Sequence, residues 1–260
     1  MSAFLLEATD LRKSWTARGR DVMALKGVSL TVAPGETLGL VGRSGCGKST
    51  LARVLTRLTT PQAGNIRFRG EDWLALSGGA LRVARRHMQM VFQDPLGAFN
   101  PRATVAGALA DPLRIHDLVP SERRAVRIEA LLERVGLSAD YARRSVFELS
   151  GGQRQRVAIA RALACEPSLI VLDEAVSALD VSVRARILDL LVDLQREHGL
   201  AYIFVSHDLA AVRAVSHRIA VMDAGEIVEE GPSDTVVNDP QSHAARALVA
   251  AVPRLMREKP

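Results

Sequence analysis

Apolar residues along the chain come in short bursts, and the spacing within each burst changes from one region to the next. Residues 28–32 and 37–41 read as strands joined by a turn at Pro34-Gly35. A loop of glycine and small polar residues follows. Then Leu51, Val54, Leu55 and Leu58 recur at helical spacing, which predicts a helix over residues 49–58. Strands are expected at 65–68 and 88–92. From about residue 105 to 164 helical segments dominate, with Ile128, Leu131, Leu132 and Val135 in phase. After Pro167 the two patterns alternate. Strands are expected at 169–172, 202–206 and 218–222, a β-ribbon at 226–230, and helices at 181–198, 209–215 and 243–255. Alternation on both sides of a helical block predicts an α/β fold: a mostly parallel sheet covered by helices, with the block as an inserted subdomain.

Composition narrows the class. The chain has 260 residues, 48% hydrophobic and 24% charged, which excludes a disordered or collagen-like protein. No apolar run approaches the ~18 residues of a membrane span. Phe4-Leu5-Leu6 is followed by Glu7 without a basic start, so no signal peptide is read and a cytoplasmic location is expected. Cys46 and Cys165 belong to no metal-ligand pattern. The net charge is +5, and the excess is local: residues 80–161 carry 14 arginines against 8 acids. That stretch is either a solvated helical surface or a basic face turned toward something anionic, such as a membrane.

Candidate chemistry begins at Gly42-Arg43-Ser44-Gly45-Cys46-Gly47-Lys48-Ser49-Thr50, which matches G-x-x-x-x-G-K-[ST] between a strand and a helix. Gly42, Gly45 and Gly47 let successive N–H groups converge on phosphate oxygens. Lys48 is expected to neutralise the β- and γ-phosphates, and Ser49 to present a hydroxyl to Mg²⁺. No Asn-Lys-x-Asp guanine-reading motif occurs. The apolar run 169–172 ends in Asp173-Glu174, adjacent carboxylates where ligands bind in parallel sheets. Asp173 is placed to hold Mg²⁺ through water, and Glu174 to orient and deprotonate an attacking water. Leu149-Ser150-Gly151-Gly152-Gln153 opens a helix with Ser150 as its expected N-cap. It is either an ordinary cap or a second anion site, and the latter would clamp a γ-phosphate between two chains.

Taken in order, Gly42–Thr50, Gln93, Leu149–Gln153, Leu169–Glu174, Ser177-Ala178-Leu179-Asp180 and His207 resemble the ATPase subunits of ABC transporters over essentially the whole chain. The resemblance implies a P-loop NTPase (RecA-like) fold with an antiparallel β subdomain and an inserted helical subdomain, and ATP and Mg²⁺ as cofactors. It implies that Trp15, where the family usually has Tyr, stacks on adenine. Gln93 would sense Mg²⁺ and couple to a membrane subunit, and His207 would touch the γ-phosphate. Ser150 and Gly152 would contact the γ-phosphate of the opposite subunit, with Asp180 at the dimer seam. The implied organisation is one ATPase domain over residues 1–260: N-terminal strands and P-loop core 1–82, helical insertion about 83–144, signature helix and remaining core 145–232, and a C-terminal helical extension 233–260.

Gln93-Asp94-Pro95, Phe99-Asn100-Pro101-Arg102-Ala103-Thr104-Val105 and residues 244–253 resemble the peptide and nickel importers. The loop Gly42–Cys46 and Asp173-Glu174-Ala175-Val176-Ser177 look closest to the nickel type. The His-Pro-Tyr-Thr that opens the C-terminal motif in that branch reads Ser242-His243-Ala244-Ala245 here. The implied partners are two integral membrane permease subunits, a second ATPase subunit and, indirectly, a periplasmic or extracellular solute-binding protein, with no nucleic acid. The implied place is the cytoplasmic face of the inner membrane. The alternative is a soluble ABC ATPase of DNA repair or translation. DNA-acting members carry a long coiled coil between P-loop and signature, and ribosome-associated members carry two cassettes; this chain has neither.

Overall fold

The computed structural model describes residues 4–17 and 20–251. Strands β1 (Leu6–Ala17) and β2 (Arg20–Val32) form a long antiparallel pair, and β4 (Ala63–Phe68) and β5 (Glu71–Asp72) extend it in the order β2-β1-β4-β5. The second sheet has six strands in the order β10-β9-β3-β8-β7-β6, formed by β3 (Thr37–Gly42), β6 (Met88–Val91), β7 (Leu169–Asp173), β8 (Ala201–Val205), β9 (Arg218–Asp223) and β10 (Glu226–Pro232). All are parallel except the edge strand β10. The helices are α1 (Lys48–Leu55), α2 (Gly78–Arg85), α3 (Val105–Ile115), α4 (Arg124–Arg134), α5 (Gly151–Leu163), α6 (Val181–His198), α7 (Leu209–Val215), α8 (Ser233–Asn238) and α9 (His243–Ala251).

The parallel strands are buried on both faces, and alternate residues serve different cores. Ile170 and Leu172 of β7 join the cluster that holds α3–α7, while Leu169 and Val171 join the cluster beneath α1 and the antiparallel sheet. The helical block therefore shares its core with the main sheet through α5. Register does the positioning. Asp173 pairs with Val205, and Leu40 also pairs with Val205, so β3, β7 and β8 end level with one another. Their following loops carry the candidate residues.

Helices α6 and α7 span the residues their periodicity predicts. Other elements depart from the pattern for local reasons. Strand β1 was not legible because register shifts break its alternation and Asp10 sits at φ 49°. Helix α1 stops at Leu55 instead of residue 58, because Arg57 adopts the left-handed conformation and its guanidinium bonds the carbonyls of Trp73 and Leu76. Helices α2 (8 residues) and α8 (6 residues) were not read from the sequence. The expected last helix is described through Ala251; its remainder, with Pro253, lies outside the described residues.

Trp73 seats the antiparallel sheet on α1. It is fully buried, meets Phe68 edge to face at 5.3 Å and donates Nε1–H to the carbonyl of Leu55 at 2.8 Å. Trp73→Ala should cost about 3–5 kcal/mol of stability, through the cavity and the orphaned carbonyl. Denaturant unfolding reads this as a fall in midpoint.

Candidate functional site

The loop from Gly42 to Thr50 bends tightly between β3 and α1. Gly47 has φ 113° and Gly42 φ 156°, and a Cβ on either would come within 2.4 Å of a backbone oxygen, Ala24 O and Met222 O respectively. Side chains are excluded there by contact and conformation together. Arg43, Ser44 and Gly45 are exposed at the tip, Cys46 is buried beneath it, and Ser49 and Thr50 open the first turn of α1. Lys48 is 4% exposed, and its ammonium donates to the carbonyls of Gly42 at 2.7 Å and Arg43 at 3.0 Å.

Beside this loop the ends of β7 and β8 bring three groups together. Ser49 Oγ donates to Asp173 Oδ1 at 3.0 Å. Asp173 is 5% exposed, and burial pushes its carboxyl above the usual range, with Glu174 adding to the rise and Ser49, Arg53 and Lys48 opposing it. Glu174 lies at φ 49°, a strained conformation for a non-glycine residue. Two bonds hold it there. Its N–H donates to Val205 O, and its own carbonyl accepts the Ser177 hydroxyl at 2.9 Å. The Glu174 carboxylate then meets Gln93 Nε2 at 3.2 Å and His207 Nδ1 at 3.3 Å. Gln93 Nε2 also reaches Ser177 Oγ at 3.5 Å.

A hydroxyl, a buried carboxylate and a carboxamide give hard oxygen donors suited to Mg²⁺, so Ser49, Asp173 and Gln93 fit the ion that the sequence implies.

The remaining candidates stand apart from this cluster. Ser150 caps α5 in a reciprocal box: its Oγ accepts from Gln153 N at 3.4 Å, and Gln153 Oε1 accepts from Ser150 N at 2.9 Å. Gly151 is exposed beside it and Gly152 half-buried. Among the described residues no hydrogen bond joins Ser150–Gln153 to the P-loop. Asp180 caps α6 through Val183 N, and that bond with one from Ser182 holds its carboxyl below the ordinary value. Trp15 is 41% exposed on β1, opposite Val22, with the Lys13 ammonium 4.8 Å from its ring centre. The sequence did not single out Tyr141, whose hydroxyl accepts from Gln153 Nε2 at 2.9 Å. Twelve residues separate the two, and no spacing rule marks such a pair.

A strand ends in a glycine loop, a helix opens on a buried lysine, and a level pair of strands presents Asp-Glu and His, the arrangement that the sequence reading expects of a nucleotide site. The profile of the family described as ABC transporter matches residues 25–177. The chain belongs to this family. It is 53% identical over 234 residues to the glutathione import ATP-binding protein GsiA of Escherichia coli (strain K12), covering 90% of this chain and 38% of that protein. The Shigella sonnei protein of the same name matches equally. The chain thus spans well under half the length of these curated relatives. Among solved structures, the dimeric post-hydrolysis state of the cassette MJ0796 bound to ADP and Pi aligns with a TM-score of 0.79 at 30% identity, covering 88% of this chain and 98% of that one. The cbiO1 protein of Clostridium perfringens, part of the ABC transporter complex cbiONQ, aligns with a TM-score of 0.80 at 26% identity over 97% of each chain.

Asp173 supplies a test. Its native carboxyl pKa lies above the unfolded value, so ionised Asp173 destabilises the empty fold at neutral pH, and the penalty lifts as pH falls toward the native pKa. Asp173→Asn keeps the acceptor for Ser49. It should raise the melting temperature of the nucleotide-free chain at pH 7 by about 2–4 °C. The same variant should lose most of the stabilisation that MgATP gives the parent. Thermal melts with and without MgATP report both signs.

Proposed function

We propose that the chain is the ATP-hydrolysing subunit of a membrane importer of the peptide type, acting as one half of an ATPase dimer. The observation that carries this reading is the Gln93–Glu174–His207 cluster at the ends of β6, β7 and β8, one residue from the Ser49–Asp173 pair. In this arrangement Lys48 and the loop N–H groups bind the β- and γ-phosphates. Glu174 orients the attacking water and takes its proton, and His207 meets the γ-phosphate. Bound at Ser49, Asp173 and Gln93, Mg²⁺ would neutralise charge on the phosphate oxygens. Trp15 offers a face for adenine. Among the described residues no hydrogen bond ties Ser150 or Gly152 to the glycine loop, which fits a role on the nucleotide of a second ATPase; the dimeric state of the cassette MJ0796 supports it.

A cavity of about 790 Å³ runs from Ser49, Gln93 and Asp173 to Asp111, Ile115 and His116 of the helical block. We assign its end at the helical block to a cytoplasmic helix of a permease subunit, with Gln93, on the same lining, relaying the nucleotide state. Among the described residues no helix is long and apolar enough to cross a membrane, consistent with a peripheral subunit on the cytoplasmic face. The relatives named for glutathione import support a short peptide-like solute; nickel, the other half of the sequence expectation, has no such support. A solute-binding protein would act through the permease.

Glu174→Gln keeps size and hydrogen bonding but removes the base. Hydrolysis should fall about 10²–10⁴-fold while ATP binding survives. With MgATP, alone or mixed with a sibling ATPase subunit, this variant should elute as a stable dimer on sizing chromatography. Adding Ser150→Arg should abolish the dimer and spare nucleotide binding. A Glu174→Gln chain that hydrolyses at the parental rate, or stays monomeric with its sibling present, overturns the shared-site mechanism.

A further inference from the structure

One side chain ties the seam loop at Leu179-Asp180 to the loop that carries His207. Arg184, in the first turn of α6, donates from Nη1 to Asp208 Oδ2 at 2.5 Å and from Nη2 to the carbonyl of Leu179 at 3.2 Å. The other oxygen of Asp208 accepts the N–H groups of Ala210 and Ala211 and so caps α7. The Asp208 N–H donates to Ser206 Oγ. Asp208 is therefore rigidly part of the turn, and its neighbour His207 is the residue that meets Glu174. At the other end of the guanidinium, the same turn packs on the signature helix. Leu179 lies 3.5 Å from where a Cβ on Gly151 would be, and Val183 fills the space beside Gly152 so closely that a Cβ there would stand 2.4 Å from its Cγ1.

The guanidinium is not there for stability alone. Among the described residues its buried Nε has no acceptor, a cost that an apolar side chain would avoid. What arginine offers is a planar fork that reaches two acceptors on two different loops at once.

We propose that Arg184 is a positioning residue that carries the state of the seam loop and signature helix to His207. It thereby couples the half-site this chain lends to a partner's nucleotide with the half-site it uses on its own. Arg184 touches no phosphate; it acts through Asp208. The inference rests on the dimeric ATPase reading above and goes beyond it by naming the link between the two sites.

Steady-state hydrolysis of the full chain, alone and mixed with its sibling subunit, tests it. The parent should show a sigmoidal dependence on MgATP. Arg184→Met should lower kcat about tenfold, leave the ATP affinity of the monomer unchanged, and turn the response hyperbolic. Asp208→Asn, which keeps the cap acceptor but loses the charge, should do the same, and the double variant should be no worse than either single one. Arg184→Lys has one arm and should stay hyperbolic, whereas a merely structural ion pair would be rescued by it. Should Arg184→Met fail to fold, Asp208→Asn decides alone. A sigmoidal response retained in Asp208→Asn, multiplying losses in the double variant, full rescue by lysine, or a hyperbolic parent each overturns the proposal. A parent that hydrolyses no ATP overturns instead the reading beneath it.

Discussion

A buried ammonium held by neutral carbonyls is the constraint on which the rest of this molecule depends. Lys48 is almost fully shielded from water, and among the described residues its ammonium bonds the carbonyls of Gly42 and Arg43 and, at 3.8 Å, the Cys46 sulfur, with the Asp173 carboxyl acting on it only through space. Charges are kept in such places only when a stronger counter-charge is due. In the proposed function a polyphosphate would meet the need: its oxygens would take the ammonium, and the loop N–H groups would complete the cradle. The same charge draws on Asp173, whose burial otherwise disfavours ionisation.

Everything else fixes where that phosphate ends. Parallel register brings Gly42, Asp173 and Val205 to one end of the sheet, so the glycine loop, the Ser49–Asp173 pair and Glu174 arrive together without long-range adjustment. Glu174 is held in a left-handed conformation by backbone and by Ser177, which aims its carboxylate between Gln93 and His207. The strain is local and over-determined, as expected where geometry serves chemistry. The signature residues, by contrast, satisfy one another in a capping box and leave their exposed face outward.

How much of this was legible in sequence depended on whether the signal was contiguous. The loop Gly42–Thr50, the Asp173-Glu174 pair and the signature are written as unbroken strings, and each occupies the strand end or helix start that its chemistry requires. The parallel strands and α6 and α7 were legible because buried runs and regular periods survive into structure. Strand β1 was hidden by its bulges, and the end of α1 by a left-handed arginine whose partners lie 16 and 19 residues on. The bonds from Tyr141 to Gln153 and from Arg184 to Asp208 were invisible for the same reason. They join side chains 12 and 24 positions apart, and only the packing of the helical block and of α6 on α7 brings them together.

Calorimetric titration of MgATP into the parent and into Lys48→Ala tests the central claim most directly. Removing this buried ammonium should weaken binding on the order of 10²-fold or more while the variant remains folded. A folded Lys48→Ala chain that binds MgATP with parental affinity would contradict the account at its foundation.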